Sequence, residues 1–131
     1  MINERVQYTA YTLTAVISTA NPNLDGTGAT VFVINGASAP TVGTLIKTVT
    51  IKAGGSTTRG MVRLYIFQVA SQTFLFKEIE IPPVTASGID HSFSITLDVN
   101  LHFSSNEQLY ASTENAETFY ITAEGLKWVY P

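Results

Sequence analysis

The residues from Ser92 to Phe103 alternate between polar and apolar side chains without interruption. Phe93, Ile95, Leu97, Val99, Leu101 and Phe103 are apolar, and Ser94, Thr96, Asp98, Asn100 and His102 between them are polar. A two-residue period over this length fits a half-buried β-strand and excludes an amphipathic helix, whose apolar positions recur every three to four residues. An apolar face of this length needs a facing layer, so the stretch predicts a central strand in a sheet packed on something else.

Shorter stretches of the same kind surround it. Leu13–Thr19, Thr30–Ile34, Leu45–Lys52, Arg59–Val69, Thr73–Ile81, Gln108–Thr113, Thr118–Glu124 and Leu126–Tyr130 all read as strands. The intervals carry Gly, Pro and Asn, which punctuate strands. Arg59–Val69 is apolar at Val62, Leu64 and Ile66 and again at Met61, Tyr65, Phe67 and Val69. Such a strand is central, or covered on its second face by an arm or a neighbouring subunit. The prediction is an all-β, single antiparallel β-sandwich, jelly-roll-like, with eight or nine short strands. Residues 1–12, with Tyr8 and Tyr11, are expected to form an N-terminal arm, and 13–131 the sandwich domain.

Composition supports this class. Charged residues make up only 13% of the chain, while Thr and Ser together number 28, of which 18 are Thr. Thr is β-branched and suits a pleated, half-exposed sheet face. Absence of cysteine removes disulfide and thiolate chemistry. The start Met1-Ile-Asn-Glu-Arg-Val lacks the pattern of a secretory signal, and no apolar run is long enough to span a membrane. A chain made in a cytoplasm, with no membrane partner, is the expectation.

Net charge is −3, which gives no general reason to expect nucleic acid as a partner. Its distribution is uneven. From Gly26 to Lys77 the basic residues Lys47, Lys52, Arg59, Arg63 and Lys77 occur without an acid. From Glu78 to Leu126 there are eight acids and no Lys or Arg. Either the halves pair inside one domain, or a basic surface of one copy meets an acidic surface of the next.

Catalytic constellations are hard to find. Asp90-His91-Ser92 holds the residue types of a triad, but neighbours on an extended chain point to opposite faces. His102 has no clustered ligands for a metal. Glu78 and Glu80 share a strand face, where a solvated or subunit-facing edge is the simpler role than acid/base work. Asn21-x-Asn23-x-Asp25-Gly26 imitates the start of a calcium loop, yet Phe32 stands where the bidentate Glu is required. An Asx-rich turn is the default there and a weak cation site the alternative. Gly55 to Gly60 has phosphate-loop glycine spacing, but Met61 replaces the lysine. Lys47, Lys52, Arg59 and Arg63 with Tyr65 and Phe67 could form a basic aromatic patch, more simply a subunit contact than a nucleic-acid site. No catalytic residue, metal site or cofactor is expected, and the chain reads as a non-enzyme.

The stretch Leu109-Tyr110-Ala111-Ser112-Thr113, followed by Asn115-Ala116-Glu117-Thr118-Phe119, a strand and Gly125, resembles the C-terminal signature of small virion proteins of tailed bacteriophages. Asn23-Leu24-Asp25-Gly26-Thr27-Gly28 and Gly60-Met61-Val62-Arg63-Leu64 are similar to segments of such proteins, those of crAss-like phages in particular. The resemblance implies a structural component of the virion, such as a head decoration protein, often trimeric, with the major capsid protein as partner. A tail, collar or head-fibre component is the nearest alternative. A carbohydrate-binding β-sandwich using Trp128, Tyr110 and Tyr120 is the alternative of another class. Interface candidates, chosen as aromatic anchors and as members of the split charge pattern, are Tyr8, Tyr11, Lys52, Arg63, Glu117, Glu124, Trp128 and Tyr130.

Overall fold

The computed structural model describes residues 7–34, 41–68, 72–103 and 107–129. Eight strands fill most of them: β1 (Gln7–Ile17), β2 (Thr30–Ile34), β3 (Thr41–Ala53), β4 (Gly60–Gln68), β5 (Gln72–Ile81), β6 (Ser94–Phe103), β7 (Gln108–Thr113) and β8 (Phe119–Val129). They form two antiparallel four-stranded sheets, in the orders β1-β8-β3-β6 and β2-β7-β4-β5. The pairs β1–β8, β2–β7, β3–β6 and β4–β5 are those of one long hairpin, nested from its ends to its tip. Rolling that hairpin brings β8 against β3 and β7 against β4, which closes each sheet. This is the jelly roll, and the predicted sandwich of all-β class is the fold observed.

The core lies between the sheets. One contributes Ile46, Val49, Ile51, Phe103, Phe119 and Ile121, and the other Val62, Leu64, Ile79, Ile81 and Leu109, all buried. Each alternates with an outward neighbour, as the pleat requires. Along β3 the parity changes once. Ile46 and Val49 both face inward, because the register slips between Ile46 and Thr48 against both neighbouring strands. Lys47 is the extra residue of this bulge. On β6 the compensating irregularity falls at Asn100, which adopts a positive φ of 46°.

Three expectations need correction. The alternating strand, β6, stands at an edge of its sheet instead of in the middle. Its inward side chains Ile95, Leu97, Val99 and Leu101 are accordingly only half-buried, and Phe103 alone on the strand is fully enclosed. Alternation reports that one face is covered; it carries no information about lateral neighbours. Next, the first strand begins at Gln7, not Leu13, and pairs with β8 through to Val129. Tyr8 and Tyr11 therefore belong to the sheet, while 1–6 of the expected arm lie outside the described residues. Finally, Thr118–Glu124 and Leu126–Tyr130 are one strand, β8. Gly125 does not break it, because it sits opposite the Lys47 bulge, where a side chain would meet the backbone of Leu45 and Ile46.

The two apolar faces of β4 have separate explanations. Val62, Leu64 and Ile66 face the core. On the other face Tyr65 is also fully buried, and its hydroxyl donates to the Asn23 carbonyl at 2.7 Å. The β1–β2 connection folds over it. Gly26 has φ 90° and lies so near that a methyl group there would sit 2.5 Å from Thr73 Cγ2. The cover over the second face is thus a loop of the same chain.

Candidate interaction surfaces

The β1–β2 loop is held by its own side chains. Asn21 Oδ1 accepts from the Asn23 backbone amide at 2.9 Å, Asp25 Oδ1 accepts from the Thr27 backbone amide at 2.9 Å, and the side-chain Nδ2 groups of Asn21 and Asn23 both donate to the Thr27 carbonyl. These are Asx turns, the default reading of the motif. The hydrogen bond from Thr27 holds the Asp25 carboxyl below its ordinary range.

The loop between β3 and β4 is clamped by the loop between β7 and β8. Glu117 Oε2 accepts from the Thr58 amide at 2.8 Å and from the Thr58 hydroxyl at 2.7 Å. Asn115 donates to the Thr58 hydroxyl and to the Arg59 carbonyl. Beyond them Phe119 enters the core. The Asn-Ala-Glu-Thr-Phe segment singled out in the sequence is therefore a connector between two loops, in which Glu117 is engaged by Thr58.

On the outer face of β2-β7-β4-β5, five charged side chains surround a cavity of about 410 Å³: Arg59, Arg63, Glu78, Glu80 and Glu114. Arg63 is only 7% exposed and pairs with Glu78 at 3.8 Å and Glu114 at 3.7 Å. Arg59 pairs with Glu80 at 3.4 Å on the surface. The basic and acidic halves of the sequence thus meet here inside one chain, because β4 and β5 are paired in register. Arg63 is corrected from an interface candidate to a buried partner of two carboxylates. The expected trimer rests on the resemblance alone. Nor do the four cations gather into one patch. Lys52 projects from the other sheet, where its Nζ donates to Ser92 Oγ at 3.1 Å.

Asp90, His91 and Ser92 do not converge. The Asp90 amide is held by Ser87, Ser92 receives Lys52, and His91 is exposed. Among the described residues no group of three His, Cys, Asp or Glu side chains could hold a metal ion.

The aromatic candidates separate by face. Tyr8 is 65% exposed and meets Trp128 edge-on, with centroids 5.7 Å apart, and His102 stacks on the same indole at 4.6 Å. Trp128 reaches across Gly43, whose missing side chain leaves room for the ring. Tyr11 points the other way, toward the core, with Lys127 over its ring at 5.3 Å. Tyr11 is half-buried, and that burial raises its phenol pKa. Tyr110 stacks on Phe67 on the opposite sheet, far from Trp128 and Tyr120, so the three glycan-stacking candidates share no surface. Tyr130 lies outside the described residues.

Glu124 and Lys52 occupy the outer face of β1-β8-β3-β6, and neither takes part in an ion pair among the described residues. Nothing in the sequence announced that face, since its rows are assembled from four strands distant along the chain.

No protein-family model matches the chain, and no curated protein matches it. Among solved structures, the chain is similar to the Drosophila NLP core, a structure concerned with pentamer formation and histone binding. The likeness covers 94% of this chain and 98% of that one, with a TM-score of 0.45 and 9% identity, and nothing about this chain's partners follows from it.

Proposed function

We propose that this protein is a non-enzymatic structural component of a tailed-phage virion, decorating or stabilising the head through contacts with itself and with the major capsid protein. The observation that carries the reading is the sequence resemblance from Glu107 to Gly125. Its place in the fold is consistent with a structural role: its residues build β7, the loop clamp and the entry to β8. A subunit of this kind acts by binding. Many modest contacts, each made only in the assembled state, raise the free energy needed to open the particle. A jelly roll suits the task because it offers two broad sheet faces on a rigid core.

The test is antibody labelling of phage particles from a lysate in which this gene is expressed, viewed by electron microscopy. Label distributed over heads supports the proposal. Label confined to tails or collars assigns the protein there instead. Unlabelled particles, with the protein recovered only in the soluble fraction, overturn it.

A further inference from the structure

The outer face of the β1-β8-β3-β6 sheet is a grid, because the registers align side chains in rows across all four strands. Its central row is Thr14, Thr122, Thr50 and Thr96. The hydroxyls of Thr14 and Thr122 are 3.1 Å apart, and those of Thr50 and Thr96 are 3.0 Å apart. One step to one side lies the row Val16, Tyr120, Lys52 and Ser94; one step to the other lies Thr12, Glu124, Thr48 and Asp98.

The central row is uncharged, presents methyl groups, and has its hydroxyls already matched across strands, so covering it leaves few polar groups unpaired. Beside it, Val16 is 52% and Tyr120 43% exposed, large apolar surface that water solvates poorly. The charges sort by side, with Lys52 on one flank of the row and Glu124 and Asp98 on the other.

We propose that this face binds a second copy of the same chain, with the two sheets stacked and a two-fold axis running along the threonine row. That operation exchanges the two flanking rows. Lys52 of each copy then lies over Thr48 of the partner subunit, between that subunit's Glu124 and Asp98. Two equivalent charge patches form, as an isologous contact demands. Other axes set no cation against a carboxylate. An axis one row over stacks Glu124 on its own counterpart, and an axis along the strands sets Lys52 over Tyr120. The contact is small, and its specificity comes from the two charge patches. With strands ~4.8 Å apart and side chains on one face ~6.7 Å apart, the three rows that overlap about this axis, four strands wide, bury on the order of 800 Å² in total, in the range of weak, transient contacts.

The experiment is sedimentation velocity over a concentration series at low salt, with circular dichroism to confirm that each variant is folded. The parent chain should dimerise. Lys52→Glu should weaken the dimer by about tenfold or more, and so should Glu124→Lys combined with Asp98→Lys, since each reverses charge in both patches. An equimolar mixture of the two variants should dimerise again, because both patches of the mixed pair then hold opposite charges. A parent that stays monomeric at hundreds of micromolar overturns the proposal. Folded variants that associate as tightly as the parent, or a mixture that stays dissociated, overturn it equally. The outcome is separable from that of the particle labelling: a dimer without labelled particles sinks only the virion reading, and labelled particles without a dimer sink only this one.

Discussion

Replacing Gly125 by alanine tests the Lys47 bulge, where β8 passes closest to β3. A Cβ on Gly125 would stand 2.8 Å from the Leu45 carbonyl carbon and 3.0 Å from Ile46 Cα, with the Leu45 oxygen nearer still. Carbon pairs prefer about 3.5 to 4.0 Å, and the Leu45 oxygen is closer than either carbon, so β3 and β8 must part by more than about 1 Å. Every atom in the way is backbone, so no rotamer change can relieve the contact. Inserting one methylene into a packed site typically costs about 1–3 kcal/mol, and a backbone obstacle places this site at the upper end. An unfolding entropy of about 2.1 cal/mol/K per residue converts ~3 kcal/mol into a fall in Tm of roughly 10 °C for a chain of this length. Thermal unfolding followed by circular dichroism measures it. Gly55→Ala is the control, since nothing lies within 4 Å of a methyl group there, and it should move Tm very little. Gly125→Ala melting alongside the parent would refute the register that places the glycine opposite the bulge.

Leu97→Asp, on the inward face of β6, should lower stability by about 2–3 kcal/mol in urea titration, whereas Asp98→Asn on the outward face should change it little; equal effects would mean the faces are assigned wrongly. Glu117→Ala removes the acceptor for both Thr58 donors and should cost about 1 kcal/mol, with faster proteolytic cleavage near Gly54-Gly55; cleavage at the parent's rate would count against the clamp. The Asp25 carboxyl, held low by the Thr27 amide, stabilises the β1–β2 loop above the ordinary carboxylate range and loses that contribution as pH falls through its depressed pKa. An NMR titration of the Thr27 amide should therefore show a midpoint below that of a free aspartate, disappearing in Asp25→Asn, and a midpoint at or above the free value would contradict the turn geometry.

How much of this was legible beforehand can be argued from particular residues. The alternation from Ser92 to Phe103 is local, and it reported correctly which side chains of β6 turn inward; it could not report that β6 has a neighbour on only one side. Arg59–Val69 announced two covered faces, yet what covers Tyr65 is a loop some forty residues away in sequence, joined through the Asn23 carbonyl. Arg63 looked available to a partner because charge is visible in a sequence and burial is not. Gly125 looked like a break because a glycine between two short apolar runs is also what a turn looks like.

Period, turn residues and composition are properties of neighbouring residues, and for this chain they determined the class of fold, most strand positions and the inward set of β6. Strand order, the bulge at Lys47, the pairing of Arg63 with Glu78 and Glu114, and the four-threonine row exist only once strands distant along the chain lie side by side. Those contacts are set by register between whole strands, where a shift of one residue turns every side chain to the other face. No short stretch of sequence holds that information, so only the tertiary structure decided it.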